Sequence, residues 1–333
     1  MGGIWVVGEV DAAGALTKLS GEAATAARAM GEAGSVEVRG VIVAAEPDGA
    51  AASLSTFLPV VLAVRSPEAQ ERPAAATVAA RLAALVAAAA EPPAYVVVGA
   101  TPHGRDLAGA LSALLEVGVL VGATGLAWGD AADGVPAGPR VEMQPFGGRI
   151  VTTSAFRAER GIILLRPNMV VAEPLAARGR VDASATREAV DVGHVRIVER
   201  VVTSSSGPSI EEARVIVSGG RGVGGPEGFA GLGELAGLLG GAVGATRAAV
   251  DAGWVDYAIQ IGQTGKTVKP AVYLAFGVSG AIQHKVGMQT AETIVAINRD
   301  PDAPIGEFAD LFVVADLAAV VPALSAALRA RAG

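Results

Sequence analysis

An apolar run, Ala213–Val217, gives way to a glycine turn, Ser218–Gly225. Pro226 and Glu227 follow, then Phe229, Leu232, Leu235, Ala236 and Leu239 at helical spacing. No other segment constrains the fold as tightly. The segment is polar only at Arg214 and reads as a strand. Proline at a first helical position, with an acid in the first turn, starts a helix. A strand that feeds a helix across a tight turn requires the helix to pack back on its own sheet, which predicts parallel strands joined by crossovers.

The same alternation fills the first half. Ile4–Val10, Val36–Ala45, Pro59–Val64 and Tyr95–Gly99 read as strands, and Ser20–Met30 and Ala74–Ala90 as helices, the second stopped by Pro92 and Pro93. A further helix runs through Leu115. From Gly118 to Val202 short strands dominate: Arg140–Gln144, Arg149–Thr153, Gly161–Leu165 and His194–Val202. Beyond the glycine turn, Ala258–Ile261, Ala271–Phe276, Thr293–Asn298 and Leu311–Val314 read as strands, and Leu317–Arg331 as a closing helix kinked at Pro322. The small polar stretch Thr203–Ser209 is a linker. The expected class is α/β with two domains: an N-terminal α/β sheet domain over 1–206 and a C-terminal doubly wound domain over 207–333.

Composition narrows the chemistry. With 51% hydrophobic but only 4% aromatic residues, the cores must be close packings of Ala, Val, Leu and Gly. There is no cysteine, which excludes disulfides, thiolate nucleophiles and iron–sulfur ligation. Three histidines, His103, His194 and His284, make a multi-histidine metal site improbable. The net charge of −7 and the absence of a basic run argue against nucleic acid. No apolar run is long enough to insert in a membrane. Met1 to Trp5 lead straight into a strand with no basic flank, so no export signal is expected and a cytoplasmic location is.

The motifs carry alternatives. Gly220, Gly222 and Gly225 fit G-x-G-x-x-G between a strand and a helix, where glycine lets the backbone approach a pyrophosphate; a plain structural turn is the other reading. The acidic residue expected about 20 positions on in a nicotinamide-binding fold is missing, since Gly240–Ala245 holds no acid. Gly262–Thr267 resembles a P-loop but lacks its first glycine and is not followed by a helix. Gly277–Ala281 nearly matches a hydrolase elbow, but His284 follows too closely to serve as the triad histidine. Arg247 reads either as a helix-surface partner of Asp251 or as a fixed cation in a crevice. His103 and Arg105 read as a helix-start turn.

Taken together, the second-half segments resemble the alpha subunit of electron transfer flavoprotein. Ser218–Gly222, Gly244–Gly253, Gln260–Lys266, Gly277–His284, Ile294–Asn298 and Val314–Leu317 follow that family's motifs in order. The first half is similar only in outline, through Ala100–Gly104; Gly122–Thr124 departs where the family often has Ser-Asp-Val. The resemblance implies that the C-terminal domain binds FAD. It implies that Arg221, Gly222, Ser279, Gly280, Gln283, Asn298 and Asp316 contact the dinucleotide. Thr264, with Gly265 beside it, would hydrogen-bond flavin N5. Arg247 would lie over the ring, Thr246 and Gln263 would help hold it, and His284 would sit near the C2 carbonyl. It further implies an electron carrier rather than an enzyme. A beta subunit would complete a heterodimer, flavin dehydrogenases such as acyl-CoA dehydrogenases would donate electrons, and a quinone oxidoreductase would accept them. An electron-bifurcating alpha subunit and a nicotinamide-dependent dehydrogenase stay open as alternatives.

Overall fold

The structure, a computed structural model, describes residues 2–145, 150–183, 195–199, 209–211 and 213–332. The chain divides into two compact units, 1–201 and 202–333. The expected linker, save Ser209, and the expected boundary at 206/207 lie outside the described residues, as do Arg149, His194 and positions 200–202.

In the first unit, β1 (Ile4–Gly8), β4 (Tyr95–Gly99) and β8 (Gly161–Leu165) are buried at every position, as apolar runs at a sheet centre must be. β2 (Val38–Ala44), β3 (Val60–Arg65), β5 (Gly118–Gly129), β6 (Gly138–Met143), β7 (Thr152–Ser154) and β9 (Arg180–Asp182) complete the sheet. Its order is β7-β6-β5-β8-β4-β1-β2-β3-β9. All neighbours are parallel except the β5–β6 and β6–β7 pairs. Helices α1 (Lys18–Gly34) and α2 (Asp48–Leu54) cover one face; α3 (Ala74–Ala88) and α4 (Pro102–Leu115) cover the other. Alanine and glycine bring α1 close: a Cβ on Gly31 would lie 2.3 Å from Val38 Cγ2.

Three expectations need correction. Gly118–Gly129 is a single twelve-residue strand, not loop and short strands. Its glycines hid it: Gly122 sits at φ +89°, and the pairing slips on both sides of Ala123. Residues 195–199 form no strand. Ala258–Ile261 is not a strand either. A 3-10 turn over Tyr257–Ile259 starts there, capped by Asp256 Oδ1 accepting from Ala258 N–H at 2.7 Å.

The second unit is doubly wound. β10 (Val215–Gly219), β11 (Ala242–Ala245), β12 (Val272–Phe276), β13 (Thr293–Asn298) and β14 (Leu311–Val314) form one parallel sheet, ordered β11-β10-β12-β13-β14. α5 (Pro226–Leu238) and α8 (Leu317–Ala332, with Pro322 inside it) pack on one face through Phe229, Leu232, Leu235 and Leu324. α6 (Arg247–Asp251) follows β11, and α7 (Ile282–Met288) follows β12. Met288, Ile261 and Ile305 cover the other face. The direction of winding reverses between β10 and β12, where a doubly wound sheet takes ligands.

One buried carboxylate organises the first unit's irregular stretch after β8. Glu22, 2% exposed, accepts from the Asn168 N–H at 2.8 Å, while Lys18 lies 3.7 Å from its other oxygen and donates to Asn168 Oδ1 at 2.9 Å. Thr25 and Arg28, further along α1, hold Glu173 by its backbone. Glu22→Ala would strand a buried N–H and is expected to destabilise the unit by roughly 2–4 kcal/mol. The measurement is the urea midpoint, with hydrogen exchange over residues 166–180; an unchanged midpoint and unchanged protection there would refute the assignment.

Candidate functional site

Two glycine loops meet at the switch point. Gly220 N–H donates to the Phe276 carbonyl at 2.9 Å, and Gly222 N–H to the Gly277 carbonyl at 3.0 Å. A Cβ on Gly222 would lie 2.6 Å from Gly277 Cα. Gly277 has φ +61°, and its own Cβ would lie 2.7 Å from Gly222. Gly280 has φ +88°, with the Ile305 N–H 2.3 Å from where its Cβ would be. Glycine at 222 is thus required first by this backbone contact. Gly224, at φ +88°, faces open space. Beside it α5 opens at Pro226, its first-turn N–H groups left without helical partners.

The remaining expected residues stand on the same carboxyl edge. Thr246 follows β11 and donates its N–H to the Gly219 carbonyl at 3.0 Å; its hydroxyl is buried without a hydrogen-bond partner. Arg221, Ser279 and Gln283 are exposed. Asn298 ends β13 and donates from Nδ2 to the Val278 carbonyl at 3.0 Å, tying down the second glycine loop. Asp316 follows β14, and its Oδ1 accepts from Ala318 N–H at 2.9 Å at the start of α8. Gln263 and Thr264 are exposed on a loop fixed to α7, where Gln263 N–H donates to the Gln283 carbonyl at 2.7 Å. Gly265 closes that loop by donating its N–H to the Gly262 carbonyl at 3.0 Å.

Arg247 and His284 make contacts within the protein. Arg247 is exposed on α6, and its Nε lies 3.2 Å from Asp251 Oδ2, the helix-surface pairing. His284 does not point a donor outward. It is 6% exposed, and Nδ1 lies 3.0 Å from the Ile261 carbonyl, which can only accept. Nδ1 therefore carries the proton, and Nε2 accepts from the Tyr273 hydroxyl at 2.8 Å. Burial pushes the imidazole from its ordinary 6.5 down to about 4, the bond to Ile261 opposing part of the shift. Residue spacing could not reveal this, because Tyr273 reaches the ring from β12.

The sequence reading also passed over Gln260 and Tyr257. Gln260 Nε2 donates to Thr264 Oγ1 at 3.1 Å, and the Tyr257 hydroxyl donates to the Thr264 carbonyl. The available signal was a polar side chain between Ile259 and Ile261 in an otherwise apolar run.

His284 makes stability depend on pH. Its folded pKa lies below its unfolded value, so between about 6.5 and about 4 the unfolded chain binds more protons. Its contribution is whole above that window and is lost as pH falls through it, up to ~3 kcal/mol. Denaturant titrations from pH 7.5 to 4.5 should show a steeper loss in the wild type than in His284→Asn, which is less stable at neutral pH. Parallel curves would show that His284 is not held neutral.

Thr246's unpaired hydroxyl, the open face of Gly224, the start of α5 and exposed Arg221 offer donors and space suited to a dinucleotide's phosphates. Nothing in this donor set opposes FAD. Comparison with known proteins gives the same ligand. The electron transfer flavoprotein domain matches residues 4–192, and the electron transfer flavoprotein FAD-binding domain matches residues 209–289. The chain is similar to electron transfer flavoprotein subunit alpha of Mycobacterium leprae, 40% identical over 323 residues, 96% of each chain. It is also similar to the subunit of that name from Bacillus subtilis, 41% identical over 241 residues, 71% of this chain and 70% of that one. Protein FixB of Clostridium saccharobutylicum is 41% identical over 242 residues, 70% of each chain. With both domains matched in order and likeness of this degree across nearly its whole length, the chain belongs to the electron transfer flavoprotein alpha-subunit family, and its cofactor is FAD.

Proposed function

We propose that this chain is the FAD-holding half of an electron carrier and pairs with a beta subunit. It takes electrons from flavin dehydrogenases, acyl-CoA dehydrogenases among them, and delivers them to a quinone oxidoreductase. The observation that carries this reading is the cradle at the β10–β12 switch point, where two glycine loops and a helix start leave room for a dinucleotide. Bound FAD supplies the reversible uptake of electrons. The chain supplies binding and electrostatics: backbone N–H groups and Arg221 toward phosphate, Thr264 toward N5, and Arg247 as a cation near the ring. We place the carrier in the cytoplasm. Among the described residues, no helix is long and apolar enough to cross a membrane.

Two observations weigh against a nicotinamide-dependent dehydrogenase and against a nucleotide-binding module without redox chemistry, which the first unit's α/β pattern would suggest. In a nicotinamide-binding fold the strand after the phosphate-loop helix ends in an acid that holds the ribose. Here β11 ends at Ala245, and Thr246 and Arg247 follow. A nucleotide site in the first unit would lie at its own switch point, between β1 and β4. There Glu9 puts a carboxylate, which accepts from the Thr101 hydroxyl at 2.7 Å and would repel phosphate.

The test is co-expression with a beta subunit. The expected product is a yellow heterodimer, its flavin reduced by an acyl-CoA dehydrogenase with substrate and not by NADH. Reduction by NADH alone, or purification free of flavin and of beta, would overturn the proposal. Gly222→Val should abolish FAD retention, because its side chain would meet the Gly277 backbone; circular dichroism should show the first unit still folded. Arg247→Ala should bind FAD and lower its potential by on the order of tens of millivolts, since the lost charge is solvent-screened and shared with Asp251. An unchanged potential would leave Arg247 as a surface partner of Asp251 alone.

A further inference from the structure

Gln260 is 2% exposed, and no step of the proposed function uses it. Its backbone is fixed at both ends: its N–H donates to the Tyr257 carbonyl at 2.9 Å, and its carbonyl accepts from Lys266 N–H at 2.8 Å. A Cβ on Gly265 would lie 2.4 Å from that carbonyl and 3.0 Å from Gln260 Cγ, so the loop closes directly on this residue. Its side chain reaches Thr264, donating from Nε2 to Oγ1 at 3.1 Å. The Tyr257 hydroxyl holds the carbonyl of the same threonine. Thr264 itself is exposed.

A hydroxyl has one proton and two lone pairs. A threonine that accepts an amide N–H on a lone pair keeps its own proton for another partner. With the amide reversed, Thr264 would spend that proton on Gln260 and could only accept from a ligand. The direction of one buried amide therefore decides whether the exposed hydroxyl meets a ligand as donor or as acceptor.

We propose that Gln260 is a positioning residue that makes Thr264 an outward hydrogen-bond donor toward the flavin ring. The inference rests on the reading that this loop faces the flavin. A donor at the ring edge favours the more electron-rich ring and raises its potential. Gln260 thus acts on the potential through Thr264, without touching FAD.

The test is a double-mutant cycle on the FAD-loaded protein with its beta subunit, using Thr264→Val, Gln260→Met and the pair. The readouts are the flavin potential and the flavin absorption band. Thr264→Val should lower the potential. Gln260→Met should shift it the same way by at least half as much, and should add nothing in the Thr264→Val background. A merely structural glutamine would shift both backgrounds equally. An equal shift in both, or a Gln260→Met shift of zero beside a clear Thr264→Val shift, overturns the inference. If Thr264→Val itself leaves the potential unchanged, Thr264 does not donate to the flavin and the inference fails, while the carrier reading stands or falls on the co-expression test. Should Gln260→Met lose FAD, Gln260→Leu and a melting curve of the apoprotein replace it. A Gln260→Leu shift that persists beside Thr264→Val counts against the proposal.

Discussion

Much of the second unit's architecture depends on the contact between Gly222 and Gly277. Their backbones join at 3.0 Å, N–H to carbonyl, a separation that no side chain on either residue could share. The contact fixes the ends of β10 and β12 relative to each other where the winding reverses. It also decides what lines the crevice. Because the two loops pack through main chain, the side chains of Arg221, Ser279 and Gln283 stay free and exposed. Asn298 braces the second loop from β13, and Gly280 lets it approach Ile305 closely. A backbone platform held by main-chain contacts, with exposed polar side chains above it, suits a ligand that is long, charged at its middle and flat at one end.

Polar groups on this edge fall into two classes by hydrogen-bond satisfaction. His284, Asn298 and Asp316 have partners inside the protein. Thr246 has none for its buried hydroxyl. A buried, unpaired hydroxyl is costly unless something else completes it, whereas a paired group contributes mainly order. The satisfied residues accordingly act as braces. His284 is the clearest case: kept neutral by burial and held between Tyr273 and Ile261, it fixes α7 to the loop that carries Gln263 and Thr264.

The sequence was most legible where local chemistry settles the outcome. Pro226 does open α5, and Tyr95–Gly99, Thr293–Asn298 and Leu311–Val314 are strands at the expected bounds. Each is an apolar run or a start signal that needs no distant partner. Gly118–Gly129 was illegible because a bulge at Gly122 breaks its alternation while parallel pairing to β8 sustains it. Ala258–Ile261 looked like a strand by its apolar content, but Asp256 caps a turn there instead. At the site, the glycines were readable as a loop, yet the reason for Gly222 was not. That reason is the Gly277 backbone, far away in sequence. The inward turn of His284 and the amide of Gln260 were hidden likewise, since each depends on which residue folds against it.

The two units apply one topological rule and reach opposite chemistry. Both sheets are wound in two directions, and in both a glycine ends or directly follows each strand flanking the reversal: Gly8 and Gly99 in the first, Gly219 and Gly277 in the second. In the first unit the next residue is Glu9, whose carboxylate takes the Thr101 hydroxyl. Thr101 in turn accepts from Gly104 N–H at 2.8 Å, capping α4. The polar groups there are spent on one another, and a negative charge occupies the place of a phosphate. In the second unit Arg221 carries the opposite sign, and the N-cap of α5 is Gly225, which has no side chain to spend on the helix. A helix start capped by its own threonine has less to offer an anion than one left open by glycine. Only the second of two similar frames keeps its switch point free, and this places the cofactor on the shorter half of the chain.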